Sequence, residues 1–268
     1  SDMMLADSTA YIADCDAGIA VVDVADPPNP IGPSYIDVGE NVGTVFMHDT
    51  YAFYSVSTGL GIRDLASPDN LALADPISMP GSAVDIAHSD QTIWVPCDDG
   101  FVRGVDVSDP NAPVQKHVVD LATTPSWVRS EGPVLLAAYQ YEGIEVIDIS
   151  ADTGPQILST IDPDGFDTGA VVRGSYAFGS SFPLSVEGTL SVFDLSDPHA
   201  PSRLATLTVS DFALDVEVAG DWAFLACDDS GVAIVDLTDP TEPVVEGYVD
   251  TGGTAVRIEV VGEYAYVA

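Results

Sequence analysis

Six aspartates recur along this chain, each closing an apolar run: Asp23, Asp64, Asp106, Asp148, Asp194 and Asp236, spaced 41, 42, 42, 46 and 42 residues apart. A carboxylate can act as acid or base, ligate a metal, or accept hydrogen bonds from backbone N–H groups. Six equivalent copies share no catalytic mechanism, so their recurrence assigns them to the scaffold. Four are followed three residues later by a second acid, Asp26, Asp109, Asp197 or Asp239, directly before a proline. Asp–Pro at that place favours an Asx-type turn. The trailing Pro30, Pro113, Pro201 and Pro243 cannot donate to a ladder and belong at the start of an edge strand.

Function is expected where the repeats differ. Aligned on their aromatic runs, they expose one variable column: Asp2, Thr44, Asp85, Trp127, Gly169, Asp215 and Arg257. Asp85, Asp215 and Arg257 are candidate ligand contacts, with an arginine able to grip a ligand carboxylate by two parallel N–H donors. Trp127, Tyr139, Tyr141 and Phe182 are candidate flat contacts for a sugar ring or aromatic group. Phe182 and Leu184 lie in the longest inter-strand loop and have no evident core partner. Asp85 and Asp215 could also do acid–base work. The four histidines, His48, His88, His117 and His199, fall at unrelated repeat positions, and no nucleophile elbow, HExxH helix or phosphate loop is present.

One string resembles a cation loop. DPDGFDTG at 162–169 offers Asp162, Asp164 and Asp167 around a glycine turn, and alternating oxygen ligands suit Ca2+, although the spacing and terminal Glu of an EF-hand are missing. Cys15, Cys97 and Cys227 do not make a disulfide framework and are expected as free, mostly buried thiols.

The elements that must position these groups are strands. Each period of about 40–45 residues holds four runs rich in β-branched and aromatic residues, bounded by Gly, Asp and Pro, with no sustained helical period. Four strands per repeat at this length predict a β-propeller blade, and the chain is read as one all-β domain over 1–268. The repeats run over 1–43, 44–84, 85–127, 128–169, 170–214 and 215–255, with a partial one at 256–268. Seven first-and-second strand pairs predict seven blades with an incomplete last one; six blades is the alternative. In such a fold the variable column faces the central channel. The chain starts without an initiator Met and stops in mid-repeat, as expected of a fragment or a processed product.

The phrases IAVVDVADP (19–27), IEVIDIS (144–150) and VAIVDLTDP (232–240) resemble the LVIVD repeat. That resemblance implies a propeller of bacterial or archaeal, mostly secreted or surface, proteins with no general catalytic assignment.

Composition narrows the setting. Asp and Glu number 43 against 7 Lys and Arg, a formal charge of −36, and Lys116 is the single lysine. The acids are spread over the turns of every repeat beside apolar strands, unlike a disordered acidic tail. Such self-repulsion is relieved only where salt screens it, which points to a salt-adapted organism. Nucleic acid and membrane insertion are excluded as partners, the first for want of basic patches and the second for want of a long apolar run. The expectation is an extracellular or cell-surface binding module for a small polar ligand, a glycan or a surface protein. The alternatives are a hydrolase or lyase using channel-mouth carboxylates, and a structural repeat of a surface assembly.

Overall fold

The computed structural model describes residues 2–65, 77–121, 123–139, 143–150, 154–162, 165–182 and 187–268. Every element in these residues is a strand, and all pairings are antiparallel. The first sheet orders β1 (Met3–Ala6), β2 (Thr9–Ala13), β3 (Ile19–Asp23) and β4 (Ile31–Ile36). The second holds β5 (Val45–His48), β6 (Tyr51–Val56), β7 (Gly59–Asp64) and β8 (Ile77–Ser78). The third is β9 (Ala87–Ser89), β10 (Thr92–Pro96), β11 (Phe101–Asp106) and β12 (Val114–Asp120). The fourth is β13 (Trp127–Glu131), β14 (Val134–Tyr139), β15 (Gly143–Asp148) and β16 (Gln156–Ile161). The fifth is β17 (Phe166–Arg173), β18 (Tyr176–Phe182), β19 (Gly188–Asp194) and β20 (Ser202–Val209). The sixth is β21 (Asp215–Ala219), β22 (Trp222–Ala226), β23 (Val232–Asp236) and β24 (Val244–Val249). A two-stranded sheet, β25 (Ile258–Val261) and β26 (Tyr264–Val267), ends the chain.

The fold is thus all-β, of the β-propeller class. Among the described residues it has six four-stranded blades and one two-stranded sheet. Six complete blades match the alternative count from sequence; the seven-bladed reading is not confirmed. Contacts divide the chain into two compact units, Ser1–Val128 and Arg129–Ala268.

Each blade is built by the same local chemistry. The first and second strands join through a two-residue turn whose first residue has positive φ, the left-handed region. Asp7, Asp49 and Asp90 hold it in the first three sheets, where a short polar side chain tolerates that region. Gly132, Gly174, Gly220 and Gly262 hold it in the other four. Second and third strands alternate buried side chains into the core: in the Ser1–Val128 unit these include Phe53, Leu60, Ile93, Val95 and Val105, in the Arg129–Ala268 unit Leu190, Val192, Leu225 and Val235. Fourth strands are exposed edges, with Ile31, Val114 and Val244 more than half exposed after the prolines that precede them.

Candidate functional site

The recurring aspartates act as turn caps. A carboxylate oxygen of Asp23, Asp106, Asp148, Asp194 and Asp236 accepts the backbone N–H two residues on, at 2.7–2.9 Å. Asp64 accepts the Thr50 hydroxyl at 3.0 Å. The second acids repeat the device: Asp109, Asp197 and Asp239 accept the N–H two residues on, while Asp26 takes the Asn29 side-chain amide. Charge-assisted bonds favour the ionised form. Asp106 is therefore held down at about 2, first by its pairing with Lys116 and then by Ser108. Asp148, Asp194 and Asp236 also lie below the usual carboxylate range through the residue two places on.

The variable column has a different geometry, seen separately in each unit. In the Ser1–Val128 unit, Thr44 donates its hydroxyl to Asp2 at 2.5 Å and lies 3.3 Å from Asp85 Oδ1. The other oxygen of Asp85 accepts the buried N–H of Val128 at 2.9 Å. In the Arg129–Ala268 unit, Asp215 Oδ2 accepts the N–H of Ile258 at 3.2 Å. Asp85 and Asp215 thus share one role. Each is buried, and each bonds the N–H one residue past the column position of the next repeat. These carboxylates tie successive inner strands together. Gly169 makes room for the arrangement: a Cβ there would lie 2.8 Å from Asp215 Oδ1.

Arg257 stands beside this strut. Its Nη1 is 3.6 Å from Asp215 Oδ1, and its side chain is 29% exposed. The other arginines with described bonds are more firmly engaged. Arg103 grips Asp99 by both Nη atoms, at 2.9 and 2.5 Å, and is buried. Arg173 bonds the Val218 carbonyl, Glu131 and Glu217. Burial pushes the Asp215 carboxyl up, against the pull of Arg257 and Arg129. Glu217, two residues along β21, is also pushed up by burial and by the charge of Asp215. Three of the six arginines, Arg129, Arg173 and Arg257, therefore serve the acids of one inner strand. Sequence reasoning missed Arg129, Arg173, Glu131 and Glu217. Their placement at alternate positions of first strands was the signal available.

The described aromatic candidates are largely enclosed. Trp127 and Tyr139 are buried, 4% and 3% exposed, so neither ring is presented to solvent. Tyr139 donates its hydroxyl to the buried Glu145 at 2.6 Å. Phe182 does have a partner: its ring packs on Phe212 with centroids 4.8 Å apart. Tyr141, Leu184 and Asp164 lie outside the described residues. All three cysteines are free, Cys97 and Cys227 buried and Cys15 exposed, and burial raises the Cys227 thiol to about 11.

Of the two described acids of the cation string, Asp162 is exposed and Asp167 is buried. Asp167 is 2% exposed, and neither oxygen has a hydrogen-bond partner. Burial, reinforced by the charge of Asp162, lifts it to about 8. Among the described residues no three His, Cys, Asp or Glu side chains converge to hold a metal. No helix among them is long and apolar enough to cross a membrane.

No curated protein matches the chain significantly. Solved structures resemble it at the level of fold. A computationally designed protein, Ika8, superposes with a TM-score of 0.74 at 10% identity, over 99% of this chain and 79% of its own. A chain of the mitotic checkpoint complex gives 0.75 at 10% identity, over 93% and 80%. Apo AztD from Citrobacter koseri gives 0.61 at 14% identity, over 94% and 72%. The family profile that matches is the LVIVD repeat, at residues 2–33, 212–251 and 252–268. Those segments carry the LVIVD repeat, and the phrases between them fold into the same four-stranded blades of a β-propeller-class chain.

Proposed function

We propose that this protein is a binding module, and that Arg257 is its ligand contact in the Arg129–Ala268 unit. The ligand is small and polar and carries a carboxylate. The observation behind this reading is the state of that guanidinium. Arg257 is partly exposed, its one ion pair is long at 3.6 Å, and no side-chain hydrogen bond engages it among the described residues. A planar fork of five donors beside a single distant carboxylate has capacity left for a second, bidentate partner. The propeller repeat fold is in general that of binding and interaction modules, which supports the same class. Acid–base work by Asp85 and Asp215 draws less support, since each is engaged with a backbone N–H. The setting we propose is extracellular or cell-surface in a salt-rich medium, on the strength of the −36 charge and lone lysine.

Calorimetric titration with glucuronate, galacturonate, malate and citrate in molar KCl tests the reading. At least one is expected to bind saturably. Arg257→Ala should weaken it by more than about tenfold, the scale of losing a charged hydrogen bond, and Arg257→Lys should restore only part. Binding that is equal in Arg257→Ala and wild type, or no binding by any of the four at millimolar concentration, overturns it.

A further inference from the structure

The position two residues before the variable column is apolar in five repeats: Val42, Ala83, Pro125, Ala213 and Ala255. Val42, Ala213 and Ala255 there are fully buried. The fifth blade places Asp167 at this point, equally enclosed, with both carboxylate oxygens lacking a hydrogen-bond partner. A buried carboxylate left alone costs several kcal/mol, so proteins pair such groups, protonate them or give them a cation.

The strand register says what surrounds it. Asp167 pairs with Ser181 across β17 and β18, and Ser181 pairs with Thr189 across β18 and β19. Directly opposed residues of antiparallel strands project to the same face. The register thus brings Asp167, at the edge of a β-bulge, into one row of oxygen-bearing residues with Ser181 and Thr189; Ser181 is fully buried and its Oγ lies 2.8 Å from Thr189 Oγ1. The equivalent row of the third blade runs Ala83, Cys97 and Phe101. A second acid, Asp162, directly follows β16, five residues before Asp167, and its charge acts on Asp167.

We propose that the fifth blade holds a small hard cation, calcium by preference, bound through Asp167 with Asp162 as the second acid. All the donors in the row are oxygens, which suits calcium and excludes the thiophilic metals. Two carboxylates cannot complete its shell of six to eight oxygens, so hydroxyl, main-chain and water oxygens supply the remainder. This site is independent of Arg257, so either reading can fail alone.

The test uses the full chain melted in choline chloride at constant ionic strength, so that screening stays fixed while Ca2+, Mg2+, Na+ or K+ replaces choline. Calcium should raise the melting temperature saturably, by about 5 °C at saturation for a ligand well above its dissociation constant. Asp167→Asn should abolish the saturable part while melting above the calcium-free wild type, because the amide removes a buried charge at constant shape. Asp162→Asn, which leaves Asp167 in place, should raise the calcium midpoint more than about tenfold, as loss of a charged ligand does. Asp197→Asn, an exposed turn cap, should respond as wild type. A wild-type response that never saturates, an Asp167→Asn response equal to wild type, or saturation by Na+ or K+ with calcium inert overturns the proposal.

Discussion

Asp85→Ala isolates the strut between successive inner strands. The carboxylate accepts the N–H of Val128 at 2.9 Å and lies 3.3 Å from the Thr44 hydroxyl, and all three residues are buried. Truncation orphans the Val128 N–H outright, at about 1–3 kcal/mol, and removes the weaker contact with Thr44. The expected loss is about 2–4 kcal/mol. For a chain of this size that corresponds to about 5–10 °C in melting temperature. Asp85→Asn keeps an acceptor oxygen of the same reach and should cost less than half as much. Both variants also remove one negative charge from a chain at −36, which stabilises it in dilute buffer. The comparison therefore belongs in 2 M KCl, where the Debye length is below about 3 Å and the charge effect is screened. The assay is a melt followed by near-ultraviolet circular dichroism at both 0.1 M and 2 M KCl, with the destabilisation by Asp85→Ala larger at 2 M. An Ala variant that melts with wild type in 2 M KCl refutes the strut. An Asn variant as unstable as the Ala variant shows that charge, and not acceptance of the Val128 N–H, is what matters at this position.

Wild type itself should gain stability from 0.05 M to 2 M KCl, and a melting temperature that is flat or falling over that range removes the argument for salt adaptation. Asp106, held at about 2 chiefly by Lys116, contributes stability that is complete above the unfolded value of 3.8 and is lost as pH falls from there toward 2. In Lys116→Ala its carboxyl should titrate closer to the usual range by NMR, yet remain below it because Ser108 still donates; an unmoved titration would show that the pairing with Lys116 does not set it.

The repeat scaffold was legible in the linear chain because its determinants are local. An aspartate that caps the N–H two residues away needs only its own turn, so the 41–46-residue recurrence of Asp23 through Asp236 was enough to assign the role. Alternating β-branched and aromatic runs likewise carry their own strand signal. The variable column was visible as a column for the same reason.

What each member of that column does depends on groups about 43 residues away, and only the packing of one blade on the next could decide it. Asp85 and Asp215 were read as ligand contacts; tertiary structure gives them N–H partners at Val128 and Ile258. Trp127 and Tyr139 are candidate flat contacts by residue type, but a ring at a strand end is open or closed according to what covers it, and both are buried. Phe182 found Phe212 in the same way. The blade count rested on a pairing that composition does not encode, because β25 and β26 carry the pattern of a blade whether or not a third strand lies beside them. The burial of Asp167 was the least legible feature of all. Its sequence context is that of a solvated acidic turn, and only the tertiary structure shows it enclosed.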